Sequence, residues 1–526
     1  MNGLYPKQPA LDHLFAAADE QYAQIKKSLI SPDFHSRAAA DVERLLRLEQ
    51  HELMRRLLQS HVTLRGQDQA VGPVVDSDGV ERSHVRHGKT RQLATTFGKI
   101  VVERTAHAGR GLAALHPVDA SLNLPTRSYS HEVERQVAMT AARMSFDATL
   151  SLLAELTAAG VPKRQAEELV QQAAKDFEDF YVKTGFLVGA PQSELLVLSF
   201  DQKGVVMRQE DLTKATRKAS ENKKSKLDTR TSKGEVKRGH KRMATVAAVY
   251  TVAPFVRTAQ DVIAGLKHVR DATQKPRPRP EFKRVWASLT RSPQAVIAEA
   301  FAEAQKRDPE HKKRWLVLVD GCPKLERWVL AEAKRLGVQV TLILDFIHAL
   351  EYLWRAAHAF FDEGTPAIEA WVMERLGLML HGKISNVVAG MTRMATVRKL
   401  TKQARAPVDK AAKYLLKRKG MMRYGELLAL GAPIASGIIE GACRHLINDR
   451  LDLTGARWRL PSAEAVLRLR SLLSSGDFDG YWEFHEEEEA RRNHASRYAD
   501  GKLPEVKIPS GKRHLRVVRG GGGGVD

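Results

Sequence analysis

Three apolar runs in this chain finish on an aspartate: LLVLSFD at 195–201, RWLVLVD at 314–320 and QVTLILD at 339–345. Short runs this rich in β-branched and aliphatic residues read as buried strands, so Asp201, Asp320 and Asp345 are each expected to close one. One such aspartate is as readily a helix N-cap or a loop residue. Its recurrence after three strands points instead to a shared site, because functional groups in open α/β sheets collect at the carboxyl ends of strands. Carboxylates gathered there oppose one another's ionisation and must bind cations or shift their pKa values. Oxygen donors without a Cys or His cluster select hard cations, chiefly Mg²⁺ or Mn²⁺. Two such ions about 4 Å apart suit in-line displacement at a phosphoryl group.

A further ligand is expected from APIASGIIEGACRHLINDRLDLTGARWRL at 432–460. Ser436 is placed to cap a helix on which Glu440, Arg444 and Asn448 recur at every fourth position, with Ile439, Ala442 and Leu446 opposite. Glu440 would face the strand ends, and Arg444 would bind a phosphate or hold the carboxylate. The alternative is an ordinary surface pair at four-residue spacing.

The elements that must position these residues follow from periodicity. Residues 194–345 alternate strand-like runs with helical patterns, an α/β core. Helical spacing continues from FIHALEYLWRAAHAFF to about 430 and again over 436–475, so a helical block is inserted late in that core. Between the first two strands, 208–242 is rich in Lys and Arg and short of apolar residues. It is either a solvated loop or, beside the carboxylates, a phosphate-backbone contact through Lys223, Lys224, Arg238, Lys241 and Arg242.

Upstream, 36–62 is an amphipathic helix and TTFGKIVVERTAHA (95–108) reads as one or two strands with Gly98 at a bend. HGKT at 87–90 lacks the glycine that a phosphate loop needs four residues earlier, where Ser83 stands, so an ATP site is rejected. Two helical segments joined around Gly160, with Pro162 near the second start, form a candidate helix-turn-helix. It would present Lys163 and Arg164 to bases or phosphates, with simple helical packing as the alternative.

Composition sets the class. The chain has 526 residues, enough for several domains, and its 43% hydrophobic and 28% charged residues are those of a folded protein. Its 84 Lys+Arg against 62 Asp+Glu give a net charge of +22, which favours a polyanion, nucleic acid first. No stretch is apolar enough for a membrane span and no secretory leader is evident, so a cytoplasmic location and no membrane partner are expected. Two cysteines are too few for a disulfide framework or a Cys-rich zinc site.

SFDQKGVVM, LVLVDGCPKLERW, LILDFIHALEYLW and SGIIEGACRHLINDRLDLTGARW, in that order, resemble bacterial insertion-sequence transposases of the ISKra group and, more widely, DDE transposases with a helical insertion. The segment HPVDASLNLPTRSYSHEVERQVA (116–138) resembles the part that precedes their catalytic domain. The resemblance implies an RNase H-like fold in which Asp201, Asp320 and Glu440 hold two Mg²⁺ or Mn²⁺ ions for DNA strand cleavage and strand transfer. DFIH matches an Asp-x-x-His motif of insertion-bearing relatives, which places Asp345 and His348 near the site without making either a ligand. The aromatic of GARW, Trp458, would stack on a displaced base, although core packing is its simpler role.

The partners implied are terminal inverted repeats and target DNA, bound by a homodimer or larger assembly because two ends must be paired. A nuclease without strand transfer and a catalytically inactive DNA-binding regulator are the alternatives. The expected organisation is a mostly helical DNA-binding region at 1–193, an RNase H-like core at 194–345, a helical insertion at 346–430, core-completing helices at 431–482 and a flexible basic tail at 483–526.

Overall fold

The computed structural model describes residues 12–184, 193–221, 240–266, 276–453 and 455–507. They fall into two compact units: the described residues among 1–140, 145–169 and 482–526 in one, and those among 141–144 and 170–481 in the other. Among the described residues no helix is long and apolar enough to cross a membrane.

The second unit is built on a mixed five-stranded sheet. Its strands are β1 (Leu195–Val206), β2 (Lys241–Val252), β3 (Glu281–Ser288), β4 (Arg314–Val319) and β5 (Val340–Leu344). They lie in the order β3-β2-β1-β4-β5. The first three are antiparallel neighbours, whereas β4 pairs parallel with β1 and β5 parallel with β4. Parallel neighbours need long crossovers. Two helices supply them: α1 (Pro293–Arg307), capped by the Ser292 hydroxyl, and α2 (Pro323–Leu336), which ends on Gly337 at φ 68°. Apolar runs without alternation, such as LLVLSF, are buried throughout, as a sheet covered on both faces requires.

Two expectations change here. β1 does not end at Asp201: it continues for five residues to Val206, paired along its whole length with β2. Only its partnership with β4 stops, at Phe200 opposite Val319. Asp201 therefore stands where the parallel ladder ends and the antiparallel hairpin goes on. β3, in EFKRVWAS, was not among the expected strands, because Lys283 and Arg284 interrupt its apolar pattern.

After β5 come α3 (Phe346–Ala357), α4 (Pro366–Leu380), α5 (Ile384–Val397), α6 (Lys402–Lys417), α7 (Tyr424–Ala429), α8 (Gly437–Ala442) and α9 (Leu460–Ser475). The expected insertion is thus helical, but it is not a separate body. Its Leu353, Trp371, Leu376, Met391, Leu415 and Tyr424 share one apolar cluster with Leu195, Val197, Leu316, Leu318 and Ile343 of the sheet. Side chains alternate faces along a strand, so the sheet residues in that cluster mark the face on which the helices lie.

In the first unit the expected amphipathic helix spans Ala39–Gly66 and packs against Ala16–Ile30. Strands His84–Thr95 and Gly98–Gly109 form a hairpin whose turn is closed by Gly98 at φ +120°. HGKT lies within the first of these strands. The helices expected around Gly160 are Phe146–Leu156 and Lys163–Ala173.

The segment expected to be a flexible tail from 483 is ordered through 507. It is helical to Asn493, Val506–Lys507 pairs with Gln69–Ala70, and Tyr498 is buried against Val74 and Leu115. Aromatic burial and backbone pairing outweigh a charged composition there. Residues 508–526 lie outside the described part.

Candidate active site

Register decides which carboxylates meet. Phe200, Val319 and Leu344 are aligned across β1, β4 and β5, so Asp201, Asp320 and Asp345 follow at one level on three adjacent chains. Neighbouring strands run about 4.8 Å apart. Residues two apart share a face, and Asp201 continues the series Leu195, Val197, Ser199, as Asp320 continues Leu316, Leu318. The acidic residues accordingly sit on the face that the helices cover, at the point where the apolar cluster stops.

Asp345 is engaged by the backbone of two helices. It is buried, and its two oxygens accept the amides of Ile347 at 2.8 Å and Ser436 at 2.7 Å. The first bond caps α3; the second fixes the start of α8. Ser436 is itself a junction. Its hydroxyl donates to Ser199 at 3.1 Å and accepts the Ile439 amide at 3.3 Å, the cap expected from the sequence. A buried chain of hydrogen bonds thus carries the register of β1 and β5 into the first turn of α8, where Glu440 stands.

The face expected beyond Glu440 is not formed. Residues Cys443–Asn448 make a π-helical turn, which widens the spacing from four residues to five and rotates the remainder of the helix. Arg444 points away, 74% exposed and 3.7 Å from Asp449. The residue brought inward is Cys443, absent from the expected site, whose thiol lies 3.1 Å from Asp201 Oδ2 as donor. Burial and the nearby Asp201 charge push that thiol's pKa far up, so it stays protonated. Cys443 stands three residues after Glu440, a spacing that already places the two on one helical face, so it was legible in the sequence.

Electrostatics set this group apart. Burial raises the Asp320 carboxyl above its ordinary range, and the Asp201 charge adds to the shift; the Cys322 amide, 2.8 Å from Asp320 Oδ1, and His348 oppose it. Glu440 is raised in the same way, by burial and then by Asp345, with Glu351 and Asp201 contributing and His348 opposing. His348, half-buried on α3, is near enough to both acids to act on them. Among the described residues, neither Lys nor Arg forms an ion pair with Asp201, Asp320 or Glu440. A divalent cation would relieve this imbalance, and the oxygen donors suit Mg²⁺ or Mn²⁺. The ligand atoms of the three do not all lie within 4.8 Å of one another. Two ions about 4 Å apart, each with bonds of about 2.1 Å, do not require that they should.

The other expected residues have more ordinary surroundings. Trp458 is buried, donates its indole N–H to the Leu451 carbonyl at 3.0 Å and carries the Arg450 guanidinium over its ring at 4.8 Å; it packs rather than presenting a free face. Lys241 is exposed at the end of the β1–β2 hairpin. Arg242 donates to the carbonyls of Leu289 and Asp211, which makes it a brace. Lys223, Lys224 and Arg238 lie outside the described residues. In the first unit Lys163 is 2.7 Å from Asp147 and Arg164 is 3.1 Å from Glu168, both on exposed surface. No protein-family model matches this chain, and no curated protein matches it.

Proposed function

We propose that the chain is a metal-dependent DNA strand-cleaving and strand-joining enzyme, a DDE-type transposase with an RNase H-like core interrupted by helices. The observation that carries the reading is the convergence of Asp201 and Asp320 at one level on neighbouring strands, with Glu440 tied to the same edge through Ser436, Ser199 and Asp345. A mixed sheet bearing unpaired carboxylates at the end of its parallel ladder, completed by helices after an insertion, is what that reading needs. The +22 charge provides for a polyanionic substrate.

Asp201, Asp320 and Glu440 would hold two Mg²⁺ or Mn²⁺ ions, which supply Lewis-acid stabilisation of the attacking and leaving oxygens. The chain's own contribution is geometric and electrostatic. The sheet fixes two carboxylates, the Ser436 junction fixes the third, and the Cys443 thiol and Gln202 amide hold Asp201 in orientation from both of its oxygens.

The test is purified protein with the DNA that flanks its gene, in Mg²⁺. Cleavage and joining by the wild type, lost in Asp201→Ala, Asp320→Ala and Glu440→Ala while terminal DNA is still bound, is the expected result. Cleavage without joining would indicate a nuclease. Strand transfer that survives all three substitutions would defeat the site assignment.

A further inference from the structure

The helical insertion grips the strand ends that carry the acids. At the carboxyl end of β4 the carbonyls of Asp320 and Gly321 have passed the last rung of the parallel ladder and need donors. The insertion provides them from α6: the Tyr414 hydroxyl donates to Asp320 O at 2.7 Å, and Arg418, at the end of that helix, donates Nε to Gly321 O at 2.9 Å and also bonds it through Nη2. From α7, fully buried Tyr424 donates to Leu344 O at 3.0 Å, one residue before Asp345. Three side chains from two helices thus hold three consecutive-level carbonyls on two strands.

The clamp is tight and braced. Gly321 has φ +84°, and a Cβ there would meet Arg418 Nε at 2.5 Å and the Tyr414 hydroxyl at 2.6 Å, so only glycine fits. Arg418 is buried, lies 4.2 Å above the Tyr414 ring and pairs with Glu326 at 3.3 Å. Tyr414 stacks on Tyr352 with ring centroids 3.7 Å apart, and Tyr352 is one turn along α3 from His348.

We propose that Tyr414, Arg418 and Tyr424 are positioning residues: the insertion sets the turn after β4, and through it the aim of the Asp320 carboxylate toward a divalent cation. This rests on the metal-site reading above. The donors belong to the insertion itself, Arg418 and Tyr424 buried and Tyr414 half-buried, so its packing and the conformation of the turn after β4 are coupled.

The experiment uses the full chain and Mn²⁺ alone as probe, without DNA. Tyr414→Phe and Arg418→Met remove donors while keeping most of the packing, and Lys413→Met on the exposed side of the same helix is the control. Mn²⁺ affinity is measured by calorimetric titration, with hydrogen exchange of peptides spanning 316–325 and thermal unfolding in parallel. The expected result is Mn²⁺ binding weakened roughly fivefold in each variant, the scale of one lost hydrogen bond. Exchange should rise locally at 320–322, and the control should be unchanged.

Wild-type Mn²⁺ affinity in both variants that remain folded would overturn the inference and leave the metal site standing. A wild-type chain that binds no Mn²⁺ would overturn the site reading and the inference with it. Exchange that rises throughout the sheet, rather than locally, would show a merely structural clamp and overturn the positioning role. Should Arg418→Met fail to fold, Tyr414→Phe decides between these outcomes.

Discussion

Two clusters of acidic residues in the second unit are treated in opposite ways. On β3 and α1, Arg284 bonds Glu299 at 2.6 Å and Glu303 at 3.0 Å, and Arg307 bonds Glu303 at 2.7 Å. Every acid there has a base. Burial works to raise the Glu303 pKa, but Arg284 and Arg307 outweigh it and hold the carboxyl below its usual range. Where the parallel ladder ends, Asp201, Asp320 and Glu440 have no arginine or lysine ion-paired to them among the described residues, and the last two are raised. A fold that pairs the buried Glu303 carboxylate leaves the half-buried Asp201 and Asp320 and the exposed Glu440 without such a partner. The contrast supports the proposed metal site at the second cluster and a scaffold role for the first, in keeping with the clustering of perturbed groups at functional positions.

The largest effect that would sharpen this contrast is on chemistry. Asp201→Asn or Glu440→Gln should lower Mg²⁺-dependent strand cleavage by about 1000-fold or more, equivalent to about 4 kcal/mol of barrier, in a gel assay of DNA ends. Their thermal unfolding should barely change. Glu303→Ala should do the reverse: loss of about 3 kcal/mol of stability by denaturant titration, because buried Arg307 loses its ion pair to Glu303 and buried Arg284 one of its two. Equal damage to folding from both substitutions would erase the distinction between the clusters.

Opposite pH dependence should follow from the opposite shifts. The Glu303 carboxyl is lowered in the fold, so its contribution is present above the unfolded carboxylate pKa and is lost as pH falls through the folded value. Those of Asp320 and Glu440 are raised, so the stability they confer is present below the unfolded pKa and is lost as pH rises through the folded values. Asp320→Asn, measured without divalent metal, should therefore raise stability near pH 7 by on the order of 1 kcal/mol, and the gain should vanish near pH 4. Mg²⁺ should stabilise the wild type near pH 7 and stabilise this variant less. The smallest expected effect is at the junction. Ser436→Ala removes a cap and the bond to Ser199, at about 1 kcal/mol of stability, with a loss of cleavage greater than that destabilisation explains.

How much of this was legible in the sequence differs residue by residue. Asp320 and Asp345 were legible as strand terminators because apolar runs announce buried strands. Asp201 was legible as acidic and close, but its strand runs on: pairing with β2 carries it through Gln202 and Lys203, and pairing is a property of two segments rather than one. Ser436 was legible as a cap from local chemistry alone. Arg444 was misplaced because a single π-turn changes the helical period. β3 was invisible because Arg284 is buried only by virtue of Glu299 and Glu303, which lie 15 and 19 residues away. The order in 483–507 rests on pairing with residues near 70, far beyond any local pattern.

The sequence by itself determined most of the element types outside β3 and the 483–507 segment, the basic balance and the acidic residues available, since these follow from residue chemistry and short-range periodicity. Only the tertiary structure decided that Asp201 and Asp320 stand level on neighbouring strands, that Asp345 is consumed in joining β5 to α8, and that Tyr414, Arg418 and Tyr424 hold the strand ends. Each of those facts depends on register and on contacts between residues roughly 80 to 120 positions apart in the chain, where no local preference acts and only the shared burial of distant segments selects one arrangement.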